Sequence, residues 1–145
     1  MHGGCLCGAV RYRYEGSLGG ELGAVTLCHC RQCRRAQGYA AAVAPAQAAG
    51  FSIIAGVDQV REYESSPGKK RAFCGLCGSP LYSRLDAAPN AIRLRIGSLD
   101  SPPAGLRIQA HIHAENLPAW AAPDDAPRYP GEEPGRGLAP GADGV

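Results

Sequence analysis

Seven cysteines, grouped in three short clusters, constrain this chain more than any other feature. The clusters are an N-terminal pair (Cys5, Cys7), a central trio (Cys28, Cys30, Cys33) and a late pair (Cys74, Cys77). Thiolates spaced two or three residues apart can converge on one soft metal ion, and zinc is the usual occupant. Four cysteines complete a tetrahedral structural site, whereas three leave a position open for water or substrate. The clusters therefore predict two zinc ions per chain, one structural and one functional.

Disulfide bonds and inert buried thiols are the alternatives to zinc binding for these cysteines. The cysteine count is odd, and residues 1–5 lack the apolar stretch of a secretory signal peptide. We therefore expect a reducing, cytoplasmic setting, in which clustered cysteines favour metal or redox chemistry. Inert thiols account for scattered cysteines well and for tight clusters poorly.

Composition limits the domain count and the class of partner. A length of 145 residues fits one domain, which we place at residues 1–120. Residues 121–145 are rich in proline and glycine and are predicted to form a flexible or loosely draped tail. The net charge of +2 and the 6% aromatic content make nucleic acid an unlikely partner. No apolar run approaches the ~20 residues of a membrane helix.

Hydrophobic patterning predicts a mostly β fold, which we expect to consist of short antiparallel strands with one or two short helical turns. Residues 10–14 and 92–96 alternate apolar and charged side chains, as half-buried strands do. The best helix candidate is Arg31–Gln37, directly after the first two cysteines of the central trio. Further strands are predicted at residues 39–44, 51–54, 60–63 and 81–85.

Spacing alone leaves open how the cysteine clusters combine. Cys30 and Cys33 can join the late pair as in a zinc ribbon, which leaves three cysteines without a site. Alternatively, the N-terminal pair joins the late pair, and the central trio remains together as a local three-ligand group. We prefer the second arrangement because it uses all seven cysteines.

Three stretches of the chain resemble the glutathione-dependent formaldehyde-activating enzyme family. They read GCLCGAVRY at residues 4–12, CHCRQCRRAQG at 28–38 and FCGLCGSPL at 73–81. The similarity continues through residues 61–68 and ends near residues 111–113 and 120, so it covers most of the chain. The resemblance implies a zinc-bearing β-tent fold. It also implies that the N-terminal and late pairs hold the structural zinc, and that the central trio holds the functional ion.

The activity implied by this resemblance is addition of the glutathione thiol to formaldehyde, a carbon–sulfur lyase-type reaction that gives S-(hydroxymethyl)glutathione. Cys28, Cys30 and Cys33 would then be the catalytic cysteines. A zinc ion there would bind the substrate thiol as a thiolate, or else act as a Lewis acid on the aldehyde oxygen. One alternative is a non-catalytic, zinc-stabilised binding module for a protein or nucleic acid. Another is an enzyme of the same fold with a different thiol or carbonyl substrate.

Three arginines around the central trio are candidates for binding glutathione. Arg31, Arg34 and Arg35 can pair with its two carboxylates or lower thiol pKa values. A solvated basic helix face accounts for any single one of them equally well.

The remaining candidate residues are less closely tied to the chemistry. His29 is expected to make a local hydrogen bond rather than to bind metal. His111 and His113 are predicted to share a strand face by their spacing, with His113 at the surface. Trp120 is expected to be a core or lid anchor, and residues 69–71 a solvated turn.

Overall fold

Strands dominate the fold. The computed structural model describes residues 1–19, 24–121 and 126–131. One α-helix, α1 (Arg31–Gln37), and short 3-10 turns at Ala48–Gly50, Val57–Gln59, Ile96–Ser98 and Ala114–Asn116 accompany the strands in this part of the chain. The strands are β1 (His2–Gly4), β2 (Arg11–Tyr14), β3 (Ala24–Cys28), β4 (Ala41–Gln47), β5 (Phe51–Ala55), β6 (Val60–Ser66), β7 (Lys69–Cys74), β8 (Pro80–Leu85), β9 (Ala91–Arg95) and β10 (Arg107–Ile112).

The strands form two sheets. The smaller sheet has the order β1-β2-β5, and the larger has the order β10-β3-β4-β9-β8-β7-β6. Neighbouring strands are antiparallel except for β10 and β3, which run parallel. The prediction of a mostly β fold is confirmed, and the prediction of antiparallel strands holds for every pair except this one.

The predicted elements are found close to their expected positions. The helix has the predicted bounds, and each of the six predicted strands overlaps an observed one. Strands β1, β3 and β7 were not predicted, and β10 was expected only around His111 and His113. In β3 the burial pattern does not alternate, because the strand lies inside the larger sheet between β10 and β4.

Residues 69–71 are not the solvated turn that the sequence suggested. They begin β7, which lies between β6 and β8, and Lys69 is only 5% exposed. The chain reverses just before them, where Gly68 has a φ of +72°. Proline and glycine at positions 67 and 68 make that turn, so the following basic residues extend into the sheet.

Buried side chains form two clusters. The larger contains Tyr12, Tyr14 and Leu94 together with Cys5 and Cys74, one residue from each cysteine pair. The smaller contains the whole central trio, packed with Ala41, Val43 and Ile112. The three thiols of the trio are therefore shielded from bulk water.

The hydroxyl of Tyr14, a residue of the smaller sheet, makes a hydrogen bond to the larger sheet. It donates to the Ser17 carbonyl at 3.1 Å and accepts from the Gln47 backbone amide, at the end of β4, also at 3.1 Å.

We expect Tyr14→Phe to lower the free energy of unfolding by about 1–3 kcal/mol, because it leaves partly buried backbone groups without a partner. Tyr63→Phe, at a side chain that is 65% exposed, should change it little. Urea unfolding of both variants measures this, and equal losses would contradict the assigned role of Tyr14.

Part of the predicted tail lies along the edge of β10. The His111 amide donates to the Pro127 carbonyl at 2.6 Å, and the Tyr129 amide donates back to the His111 carbonyl at 2.9 Å. Tyr129 also packs against the smaller buried cluster. Residues 122–125 and 132–145 of this segment lie outside the described residues. Among the helices that the structure describes, none is long and apolar enough to cross a membrane.

Candidate metal centres and the adjoining pocket

The N-terminal and late pairs meet at one place. Their four Sγ atoms lie within 4.8 Å of one another, with 3.5 Å between Cys5 and Cys7 and 3.9 Å between Cys7 and Cys74. Zn–S bonds of about 2.3 Å in a tetrahedron separate the sulfurs by about 3.8 Å. Both the donor chemistry and the spacing therefore fit zinc. Of the two pairings that spacing left open, this is the one we preferred.

Tight turns bring these four sulfurs together. Gly8 and Gly78 adopt left-handed φ values of +77° and +75°, and their amides donate to the carbonyls of Cys5 and Cys74 at 3.1 and 2.8 Å. Hydrogen bonds from the side chain and backbone of Ser79 lower the pKa of Cys77 to about 5. This thiol is therefore largely a thiolate at neutral pH, the form that binds metal.

The central trio forms a second group of sulfurs. Cys28 ends β3, Cys30 is the N-cap of α1, and Cys33 lies in its first turn. The Cys30 sulfur accepts the Cys33 amide at 3.3 Å, and the three Sγ atoms lie within 4.8 Å of one another. Each residue is at most 9% exposed. Three thiols so placed fit a zinc ion with one open position.

Two arginines that the sequence did not single out surround this trio. Arg71 Nη1 donates to Cys33 Sγ at 3.5 Å, and the guanidinium of Arg95 is buried nearby, with only 4% of the residue exposed. Hydrogen bonds from Cys28 and Cys30 hold the pKa of Cys33 well below its ordinary value, and the charges of Arg71 and Arg95 lower it further. Cys33 is therefore the thiol of the trio most ready to ionise.

A pocket of about 520 Å³ opens between α1 and β6. Arg71 lines it and, through Nη2, donates to Gln32 Oε1 at 2.8 Å. Arg31 and Arg35, two of the predicted glutathione-binding residues, line it as well. The third, Arg34, is not among its lining residues, and its Nη1 donates to the Asn116 carbonyl. The structure thus brings two of the three predicted arginines to one pocket.

The histidines differ in part from expectation. His29 makes a hydrogen bond, as expected, but its partner is distant in sequence: its Nε2 lies 2.6 Å from His111 Nδ1, and the rings are stacked 4.9 Å apart. His113 is only 8% exposed, so the expected surface position is wrong. It lies beyond the end of β10 with a φ of +54°, so it does not share a strand face with His111.

Trp120 is not part of the core. The residue is 72% exposed, and its ring lies 5.4 Å from that of Tyr39. Tyr39 in turn meets His29 edge-on, with the ring centroids 6.1 Å apart. The aromatic contacts that begin at the surface therefore reach the residue between the first two cysteines of the trio.

Comparisons with known proteins show what this chain is similar to. Residues 1–116 match the sequence model of the family described as glutathione-dependent formaldehyde-activating enzyme. A Halomonas elongata protein named "Putative glutathione-dependent formaldehyde-activating enzyme" is 28% identical over 127 residues, which cover 83% of this chain and 78% of that protein. A crystal structure of a Rhodobacter sphaeroides protein is similar with a TM-score of 0.61 at 25% identity, covering 72% of this chain and 92% of that one. The chain belongs to the glutathione-dependent formaldehyde-activating enzyme family.

Proposed function

We propose that this protein adds the thiol of glutathione to formaldehyde at the central trio, and that each cysteine group holds one zinc ion. One observation carries the proposal. Arg71 contacts Cys33 of the trio and also lines the pocket that contains Arg31 and Arg35. A three-sulfur group with an open coordination position thus adjoins a cationic pocket, which is what a negatively charged thiol substrate requires. The cytoplasm, where glutathione is abundant and thiols stay reduced, is the setting we propose.

The charge of the pocket supports glutathione as the ligand. Among the residues that the structure describes, its lining includes three arginines and no acidic residue. Glutathione carries two carboxylates and one ammonium group at neutral pH, so its net charge is negative. Guanidinium groups bind carboxylates with two parallel hydrogen bonds. We assign Arg31 and Arg35 to a carboxylate, and Arg71 to the region between the carboxylate and the thiol.

The reaction needs a thiolate and a site that stabilises charge on oxygen. Zinc bound to the trio would supply the first, because a coordinated thiol loses its proton readily. The thiolate sulfur attacks the formaldehyde carbon and forms the C–S bond, while the π electrons of the C=O bond move to oxygen. We assign stabilisation of that oxygen to the guanidinium of Arg71, which lies beside Cys33. A proton from solvent then completes the hydroxymethyl group and replaces the one that the thiol released.

Native mass spectrometry with and without glutathione tests this proposal. We expect two zinc ions per chain and a saturable glutathione adduct. S-methylglutathione, which has no free thiol, is the matched control and should bind more weakly. One zinc ion and no response to glutathione would contradict the proposal. That result would favour a zinc-stabilised binding module, for which the same basic residues around α1 would form the contact surface.

Arg71→Met should weaken glutathione binding by at least tenfold, because a hydrogen bond to a charged group is worth about 1.5–3 kcal/mol. Isothermal titration calorimetry measures the change in Kd. Arg13→Met is the matched control, since Arg13 is half exposed and pairs with Glu15 in the smaller sheet. Equal affinity in the wild type and Arg71→Met, with the zinc content unchanged, would remove Arg71 from the site.

A further inference from the structure

A second pocket lies next to the first. It has a volume of about 300 Å³, and Ala36, Tyr63 and Arg71 line both pockets. Its other polar side chains include Gln37, at the end of α1, and Arg95, at the end of β9. We call it the Arg95 pocket. Arg71 donates to the Cys33 sulfur and also lines both pockets. Its guanidinium group therefore connects that sulfur to each pocket.

Two buried donors in this pocket have no hydrogen-bond partner among the described residues. They are Arg95 Nε and Gln37 Nε2. The Arg95 residue is only 4% exposed. Buried N–H groups are nearly always paired in folded proteins, and an unpaired one costs about 1–3 kcal/mol. Both residues line the Arg95 pocket, and both also line a further pocket of about 450 Å³ that contains Asp100. A ligand in the Arg95 pocket that supplies acceptors would give these donors partners.

The charge of the pocket identifies the ligand class. Arg71 and Arg95 both line it, and in the described part of the chain none of its lining residues is acidic. The Cys33 and Cys28 thiols attract the Arg95 charge, but they make no hydrogen bond to its Nε. A carboxylate has two acceptor oxygens, so it could in principle serve both unpaired donors. An ammonium group would meet two guanidinium groups and no acidic residue.

We propose that the Arg95 pocket is a carboxylate site, and that it binds the glycine carboxylate of glutathione. This rests on the function proposed above. The glycine end of glutathione carries a carboxylate alone, whereas the γ-glutamyl end carries a carboxylate and an ammonium group. The larger pocket is lined by Gln32 and Ser65, whose side-chain oxygens accept hydrogen bonds from Arg71. We assign the γ-glutamyl end to this pocket. The thiol, between the two ends, then lies at Arg71 and Cys33, and an extended tripeptide of about 10 Å has the length to span adjoining pockets.

Calorimetric titrations of the zinc-loaded protein with glutathione and with its glycine ethyl ester test the inference. In the wild type the ester should bind about tenfold more weakly, because it has lost the charged acceptor. In Gln37→Leu glutathione itself should bind about tenfold more weakly, and esterification should cost little more. Gln59→Leu is the matched control, since the Gln59 side chain donates a hydrogen bond to the neighbouring Asp58 at the surface.

Equal binding of glutathione and its ester by the wild type would overturn the assignment of the glycine end. An undiminished ester penalty in Gln37→Leu would do the same.

Acetate separates this inference from the proposed function. A ¹³C-acetate NMR titration should show binding to the wild type that is weakened in Gln37→Leu and in Arg95→Lys, but not in Gln59→Leu. That pattern, in a protein that does not bind glutathione, would sink the proposed function and leave the carboxylate site standing. Glutathione binding with no acetate binding that depends on Gln37 would overturn the carboxylate site and leave the proposed function standing. Native mass spectrometry of each variant confirms that both zinc ions are in place before titration.

Discussion

Replacing Cys30 by serine is expected to remove one of two zinc ions and with it the binding of glutathione, while the fold persists. The trio offers three sulfurs and no fourth protein ligand among the described residues, so losing one leaves only two. The fold should survive because serine is a good N-cap. Its hydroxyl can accept the Cys33 amide in place of the Cys30 sulfur, and α1 keeps its first turn.

Native mass spectrometry and calorimetry measure this result on one preparation. The zinc count should fall from two to one, and the affinity for glutathione should fall by a hundredfold or more, since the ligand loses its metal contact. The far-UV circular dichroism spectrum should match that of the wild type. Retention of two zinc ions in Cys30→Ser, or unchanged glutathione affinity with one, would exclude the trio as the functional site.

Cys77→Ser should have the opposite effect, a large loss of stability. Cys77 is half-buried, so its replacement leaves the core packing largely intact. Its partners Cys5 and Cys74 lie in the larger buried cluster and join β1 to the end of β7. Structural zinc contributes about 10–16 kcal/mol in small zinc-dependent domains. We expect a loss on the order of 5 kcal/mol, enough to unfold a typical domain of this size.

Thermal unfolding of both cysteine variants provides the comparison. Cys77→Ser should lower the Tm steeply and lose the structural zinc, whereas Cys30→Ser should lower it by only a few degrees. The difference between the two Tm losses would distinguish a structural metal ion at the paired clusters from a functional metal ion at the trio. If the two variants lose similar stability, the division into a structural and a functional ion is wrong.

The clustering of the central trio was predictable because it depends on short-range spacing, whereas spacing left open how the N-terminal and late pairs combine. Cys28, Cys30 and Cys33 lie within six residues, so local chain geometry brings them together. The helix was predictable for a similar reason, since its sequence directly follows Cys30 and ends before Gly38, whose left-handed conformation terminates α1. These features need no knowledge of which strands are neighbours.

The arginines of the site could not be predicted because their positions depend on long-range strand pairing. Arg95 is opposite Val43 only because β9 pairs with β4 in that register, and Val43 packs in the same cluster as the trio. Arg71 reaches Cys33 across 38 positions in sequence. Both occur in stretches where an alternating or basic pattern is equally typical of a solvated surface. The position of His113 was wrongly predicted for a different reason: the sequence does not mark the end of β10 at Ile112.

The rate of ¹³C exchange between formaldehyde and S-(hydroxymethyl)glutathione, followed by NMR, tests the proposed function most directly. Thiols add to formaldehyde without a catalyst, so the rate and not the product is informative. We predict an exchange rate that rises in proportion to the wild-type protein and returns to the background value with Cys30→Ser. A wild-type protein that carries two zinc ions and leaves the background rate unchanged would contradict the proposed activity.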